Sequence, residues 1–238
     1  GMKIRIPGWV KGQPVPSDLY SYSDASRPTY KITVNGRSVP ASLTEDGYYT
    51  IYRNWKKNDG VNVHFDMDVR TVRADNKVEA DRGMVSVERG PLVYCAEWRD
   101  NAFDIMSVLL NREPKFSEGK LSYSSFIADS LKSKLQLYRD QNITTLATDA
   151  QTLAYDNSGK LTTQNVKLEL IPYFAWCHRG SGNMKVWLPQ DVKATRPSVP
   201  ATLASQAKIA SSTPSSSMRS IADGLVPADE NDRSVPYF

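Results

Sequence analysis

Two cysteines and two histidines are the side chains of this sequence best suited to nucleophilic or metal chemistry. Cys177 is followed directly by His178, while Cys95 and His64 stand apart from them. Structural zinc sites use four protein ligands, and one cysteine beside one histidine falls short of that number. The sequence therefore predicts no metal ion and no catalytic nucleophile here. It favours buried free thiols for both cysteines, with a single disulfide as the alternative.

Carboxylates are the next candidates, because two of them can hydrolyse a glycosidic bond when they flank it at a separation of about 5–9 Å. Asp66, Asp68 and Glu97 are the residues that such a site would use. Asp66 and Asp68 share one face of a predicted strand, where like charges diverge into water. Because acidic residues on strands are usually solvated, we predict no catalytic residue in this chain.

Five tryptophans could serve as platforms for sugar rings or as packing residues between domains. Each indole carries a large apolar area and one N–H group, and both are satisfied inside a core or at a domain seam. Packing is therefore the favoured interpretation, and ligand contact is the alternative. The five are Trp9, Trp55, Trp98, Trp176 and Trp187.

The elements that position these side chains are predicted to be short strands separated by turns, because helix-period patterns are scarce in the sequence. Asn35-Gly36 follows an alternating segment and is a strong hairpin signal, since both residues tolerate positive φ. Asp46-Gly47, Asp59-Gly60, Glu118-Gly119 and 157–159 are also interpreted as turns. Strands are predicted at residues 30–34, 48–52, 61–67, 69–72, 84–87, 92–96, 121–127, 135–138, 144–146, 166–171 and 184–188. The segment 103–110 is ambiguous between strand and short helix, and 128–137 could form a helical turn.

The pattern predicts an all-β protein with two antiparallel, jelly-roll-like β-sandwich domains in tandem and a C-terminal linker or tail. We place the first sandwich at 1–99 and the second at 100–195. Residues 196–238 are predicted to be a Ser/Pro-rich linker followed by the start of a truncated further module.

Composition supports a folded protein and excludes two classes of partner. Hydrophobic residues make up 40% of the 238 residues, which is enough for a core. The net charge of +4 is spread over the chain without a basic run, so nucleic acid is not a predicted partner. No apolar stretch approaches the ~18–20 residues of a membrane span.

Four segments are more specific than ordinary strand patterns, and their order and spacing carry the identification. They are Ile4-Arg5-Ile6-Pro7-Gly8-Trp9, then Tyr52-Arg53-Asn54-Trp55 with Asp59-Gly60-Val61, then Glu88-Arg89-Gly90-Pro91-Leu92-Val93-Tyr94, and Pro172-Tyr173-Phe174-Ala175-Trp176 leading to Arg179-Gly180. In this order they resemble the C-terminal portion of the β-L-arabinofuranosidase glycoside hydrolase family, formerly a domain of unknown function. The resemblance covers residues 2–189.

The resemblance implies an (α/α)₆ catalytic barrel followed by two β-sandwich domains. It also implies a barrel site with a cysteine nucleophile on a zinc ion held by three cysteines and a glutamate, and a separate acid/base glutamate. Neither Cys95 nor Cys177 belongs to such a motif, and two cysteines cannot supply three thiolates. We therefore expect no cofactor in this chain, with the zinc site of the family in another segment.

On this resemblance we expect a non-catalytic accessory region that packs against and stabilises the missing N-terminal barrel of the same parent protein. A carbohydrate-binding module that uses exposed Trp or Tyr residues is the alternative, and a homodimer is a further expected assembly. The parent is expected in the periplasm or outside the cell. The candidate residues for barrel docking or glycan contact are Trp9, Trp55, Tyr173, Trp176 and Arg179.

Overall fold

The computed structural model describes residues 1–39, 43–122, 141–180 and 182–201. Strands hold 46% of these residues and short helical turns 8%, so the prediction of an all-β fold is confirmed. Among them, no helix has the length and apolar character needed to cross a bilayer. The predicted strand at 135–138, the helical turn at 128–137 and nearly all of the predicted linker and module lie outside the described residues.

The first part of the chain forms two small antiparallel sheets around one apolar cluster. This part contains the strands β1 (Met2–Arg5), β2 (Tyr20–Tyr22), β3 (Tyr30–Val34), β4 (Arg37–Ser38), β5 (Tyr48–Ile51) and β6 (Val61–Phe65), and all of them except β2 belong to these two sheets. Strand β1 pairs with β5, and β3 lies between β4 and β6. Asn35 and Gly36 make the predicted hairpin turn with φ values of 51° and 76°. The cluster buries Ile6, Val10, Ile32, Val34 and Ile51.

The second part forms one large antiparallel sheet. Its strands are β7 (Val69–Ala74), β8 (Met84–Arg89), β9 (Leu92–Glu97), β10 (Val108–Leu110), β11 (Ser117–Ser122), β12 (Asn142–Tyr155), β13 (Leu161–Pro172), β14 (Met184–Lys185) and β15 (Leu188–Pro189). The order is β10-β12-β13-β9-β8-β7-β2, and β11, β14 and β15 pair with β12, β9 and β8 respectively. Single 3-10 turns occupy Glu79–Asp81, Trp98–Asp100, Ile105–Ser107, Tyr173–Ala175 and Val192–Ala194.

Two local predictions are corrected by strand pairing. Glu118 and Gly119 were predicted to form a turn, but they lie inside β11 opposite Leu146 and Thr145. A glycine fits there because the Thr145 hydroxyl occupies the space that a side chain at 119 would need. The predicted strand at 184–188 is two short strands, since each half pairs with a different partner.

The apolar clusters bear on how the chain divides. A second apolar cluster lies on the large sheet. It contains Val87 and Tyr94, which precede residue 99, and Leu146 and Leu168, which follow it. Strand β9 likewise pairs with both β13 and β14, across the predicted boundary. The division into 1–99 and 100–195 stays a prediction about folding units, and the following substitution tests it.

Leu168→Ala is expected to lower the free energy of unfolding by about 3 kcal/mol, because Leu168 is fully buried in the second cluster. Urea denaturation measures the loss. Leu161→Ala is the matched control on the same strand, and its exposed side chain predicts a change of about 0.5 kcal/mol or less.

The same variant tests the domain boundary by hydrogen exchange. Because Leu168 packs with residues before position 99, exchange is expected to accelerate in 84–97 as well as in 161–172. Acceleration confined to residues after 100 would instead support a separate folding unit at 1–99.

Candidate functional site

An exposed aromatic turn follows the end of β13. Pro172 ends that strand, and the 3-10 turn Tyr173–Ala175 leaves Tyr173 46% and Phe174 51% exposed. Ala175 is buried and Trp176 half-buried. The rings of Tyr173 and Trp176 stack with centroids 5.9 Å apart and an interplanar angle of 15°. Large apolar side chains are thus presented to solvent on a packed base.

A fourth aromatic residue lies beside the loop that continues from this turn. Trp98 is 40% exposed, and its backbone N–H donates to the Asn183 carbonyl at 3.0 Å. Its indole lies so close to Gly182 that a Cβ atom there would overlap the ring. We call Trp98, Tyr173, Phe174 and Trp176 the aromatic surface.

A buried ion network holds the loop that carries this surface. The Arg179 guanidinium pairs with Glu97 and Asp100, and its Nη1 donates to Asp100 Oδ1 at 2.7 Å. Glu97 is 1% exposed, and its Oε1 accepts the backbone N–H of Cys177 at 3.2 Å. Charge-assisted bonds of this kind are about twice as strong as neutral ones. The last residue of β9 therefore anchors both ends of 177–179.

Electrostatics within the network favour the charged guanidinium. Burial alone would lower the pKa of Arg179, but hydrogen bonds and charge from Asp100 and Glu97 outweigh it and raise that pKa above its usual value. Asn101 extends the network, because its amide donates to the carbonyl of Glu97 at 2.9 Å and to that of Glu169 at 3.1 Å. The network thus joins β9 to β13.

Both cysteines are free, as predicted. Burial is confirmed for Cys95 and wrong for Cys177, which is exposed. Cys177 lies outside the sheet, in a loop where its backbone takes the left-handed conformation with φ of 67°. Burial, with smaller effects of the Glu97 and Asp100 charges, raises the pKa of the Cys95 thiol to about 12. Its thiol is therefore protonated and shielded at neutral pH.

The zinc set implied by the resemblance does not fit this chain, because a three-thiolate site needs more cysteines than the two present. Within the described ranges, no group of three or more His, Cys, Asp and Glu side chains is placed to hold a metal ion. Two of the three carboxylates considered for acid–base chemistry have other partners. Asp66 accepts from Thr29 and contacts His64 at 3.1 Å, while Glu97 pairs with Arg179.

The five candidate docking or glycan contacts fall into two groups. Tyr173, Trp176 and Arg179 are together at the aromatic turn. Trp9 and Trp55 both pack against the first apolar cluster, where Trp9 meets Phe65 edge-on at 5.8 Å. The geometry brings the first three together and separates them from the other two. Their roles in docking or glycan contact stay predictions.

Sequence reasoning missed several side chains of the site. Trp98 was considered only as one of five tryptophans for which packing was favoured, and Asp100 and Asn101 were not considered at all. Residues 97–101 follow an apolar strand and show no regular alternation. The one available signal was a charged residue, Glu97, at the end of that strand. Pairing Glu97 with Arg179 requires the tertiary contact.

Comparison with known proteins gives matches along most of the chain. Residues 1–67 match the family model described as the GH127 middle domain of beta-L-arabinofuranosidase. Residues 69–189 match the glycoside hydrolase family 127 C-terminal domain. A non-reducing end beta-L-arabinofuranosidase from Bifidobacterium longum subsp. longum is 30% identical over 188 residues, which are 77% of this chain and 25% of that protein.

Solved structures agree with these matches. A GH127 beta-arabinofuranosidase structure has 52% identity and a TM-score of 0.72, covering 84% of this chain and 29% of that one. A GH127 beta-L-arabinofuranosidase from Geobacillus stearothermophilus T6 has 27% identity and a TM-score of 0.58, covering 79% and 26%. The chain therefore spans between a quarter and a third of the length of these relatives.

Arg179→Met is expected to lower the free energy of unfolding by about 3 kcal/mol, because it leaves the Glu97 carboxylate buried without its counter-ion. Denaturant unfolding measures the loss. Adding Glu97→Gln should restore much of it, since the double variant no longer buries the Glu97 charge, and Asp100, the remaining acid of the network, is more exposed. A loss of under about 0.5 kcal/mol in the single variant would contradict the ion network.

One thiol is expected to react with a disulfide reagent in the folded protein. Cys177 is exposed, whereas burial and the raised pKa protect Cys95. Thiol titration at pH 8 should count one group before denaturation and two after it. Cys177→Ser should remove the fast-reacting group, and a fast group that survives this substitution would show that Cys95 is accessible.

Proposed function

Because this chain belongs to glycoside hydrolase family 127, whose middle and C-terminal domains it matches, we propose that it is a non-catalytic accessory region that packs against and stabilises the catalytic barrel of its parent enzyme. The relatives are named as beta-L-arabinofuranosidases, and we assign that activity to the parent protein. The proposed partner is the barrel, within the part of the relatives that lies outside the matched region.

The observation that carries the proposal is the aromatic surface, together with the ion network of Arg179, Glu97 and Asp100 that holds the adjoining loop. Exposed aromatic side chains are costly in water, and contiguous apolar patches mark interaction sites. Tyr173 and Phe174 are exposed on a turn that Arg179 and Glu97 hold in place. A rigid aromatic patch loses little side-chain entropy when a second surface covers it.

Carbohydrate binding is the second candidate, because exposed Tyr173 and Phe174 rings could stack on a sugar. Stacking requires an open ring face, and one face of Tyr173 is already against Trp176. Trp98 is likewise pressed against Gly182. Fewer ring faces are therefore left for a sugar, and we rank carbohydrate binding second.

The chemistry of the parent is assigned to the barrel. This chain contributes no catalytic residue and no metal ligand in the proposal, since its cysteines do not fit the zinc set of the family. The purified chain should therefore release no chromophore from an aryl β-L-arabinofuranoside above a buffer blank. Turnover that is abolished by Cys177→Ala and survives Cys95→Ala would overturn this assignment. Secretion to the periplasm or the cell exterior is part of the proposal and rests on the family resemblance.

The docking proposal predicts a difference between two contexts. The double variant Tyr173→Ala/Phe174→Ala should lower the stability of the isolated chain by only about 1 kcal/mol, because both side chains are about half exposed and Tyr173 loses its stacking on Trp176. In the full-length parent it should cost about 2–4 kcal/mol, because the barrel would then lose buried aromatic contacts. Calorimetry of both proteins gives the comparison.

Tyr52→Ala is the control, because Tyr52 is 81% exposed on the first part of the chain. It should be neutral in both contexts. If the double variant costs no more in the parent than in the isolated chain, the aromatic surface does not dock the barrel. Titration of the isolated chain with arabino-oligosaccharides tests the second candidate, which is supported only if binding occurs and the double variant abolishes it.

A further inference from the structure

One strand of the large sheet comes from the other family domain. Strand β2 lies within the part of the chain that matches the middle domain, yet it pairs antiparallel with β7 of the C-terminal domain. Tyr20 is opposite Ala74, and Tyr22 is opposite Val72. The remaining strands of that sheet in the described ranges come from residues 69–189. The middle domain therefore covers an edge that would otherwise present unpaired backbone groups.

Arg70 lies beneath this joint and finds its partners across it. The side chain is on β7 and only 2% of the residue is exposed. Its Nη2 donates to the carbonyl of Trp9 at 2.8 Å, and its guanidinium lies 3.5 Å from the centre of the Tyr22 ring. Both partners belong to the middle-domain part. Opening the joint would break a charge-assisted hydrogen bond and a cation–π contact that both cross between the two parts of the chain.

Glu88 closes the same cluster from β8. It lies opposite Arg70 in the strand register, and its Oε2 accepts the Tyr22 hydroxyl at 3.0 Å. Burial, with smaller contributions from Glu88, raises the pKa of Tyr22, so the hydroxyl stays protonated as a donor. The cluster thus links a middle-domain tyrosine to two strands of the other domain.

Close packing continues on either side of the cluster. Gly90 has φ of 57°, and a Cβ atom there would overlap the end of the Met67 side chain and come within 3.6 Å of the Trp9 ring. At the other end, Tyr20 stacks on Trp187 with centroids 5.8 Å apart. We call this set of contacts the seam.

We infer that the two family domains form one cooperative folding unit, joined by the seam through the shared strand β2 and the buried Arg70. The inference is independent of the proposed barrel docking. It follows that the apolar cluster of the middle domain unfolds together with those of the C-terminal domain, although the clusters are separate. Surfaces on the two domains are consequently held in one fixed relative orientation.

Hydrogen exchange of the unmodified chain at increasing urea concentration tests the inference directly. Peptides covering β3 and β6 should share the same slowest opening equilibrium as peptides covering β8 and β9, with the same dependence on urea. If β3 and β6 lose protection at a lower urea concentration while β8 and β9 keep theirs, the domains unfold separately and the inference is wrong.

A core substitution far along the chain from the seam provides a reciprocal test. Ile51→Val removes one methylene group from the first cluster. In one cooperative unit it should raise the opening equilibrium constant by the same factor in 30–34 and in 84–97, roughly two- to tenfold. A rise confined to the first cluster would overturn the inference.

The contribution of Arg70 is measured with a paired control. Arg70→Met should raise the opening equilibrium constant of the β3 peptides by at least about tenfold. Arg82→Met, at an exposed arginine in the same domain, should change it less than about twofold. An effect of Arg70→Met no larger than the control would contradict the role of Arg70.

A milder variant covers the case in which Arg70→Met does not fold. Tyr22→Phe removes only the hydrogen bond to Glu88 and should raise the same constant about two- to tenfold. Tyr155→Phe, at an exposed tyrosine, is its control. Equal values for the two tyrosine variants would overturn the assignment of Tyr22 to the seam.

Discussion

A buried guanidinium needs fixed partners, and this requirement organises the described part of the chain at two places. Arg179 brings the loop after β13 back to the end of β9, where Glu97 and Asp100 receive it. Arg70 binds the Trp9 carbonyl and the Tyr22 ring from the other family domain. Removing one partner would leave a charge in a poorly solvated environment. These contacts therefore define the geometry more sharply than apolar packing alone.

The two arginines serve different ends. At Arg179 the network stiffens an exposed turn, so that Tyr173 and Phe174 are held out to solvent on a firm base. Arg70 is buried, and its contacts with Trp9 and Tyr22 join the two family domains. A region that is rigid inside and aromatic at one exposed turn suits a structural accessory role. The role that we propose for it is recognition through apolar area.

Trp9 makes a contact that its sequence motif did not indicate. The sequence marks it through the Ile4–Trp9 segment, and an exposed docking role was one reading of it. In the structure its backbone carbonyl is the part that binds Arg70, while its ring packs on Phe65. Trp98 was predicted to pack, with ligand contact as the alternative, and it is 40% exposed.

The sequence by itself determined the fold class, the Asn35-Gly36 hairpin and the family, because turn chemistry, strand alternation and ordered motifs are local properties of the chain. It could not place Glu118-Gly119 inside a strand, since pairing with β12 overrides the local turn preference. Only the tertiary structure decided that Glu97 meets Arg179, that β2 joins the sheet of the second domain, and which aromatic rings face water. Those facts depend on contacts between residues some 50 to 80 positions apart, and no local spacing encodes such contacts.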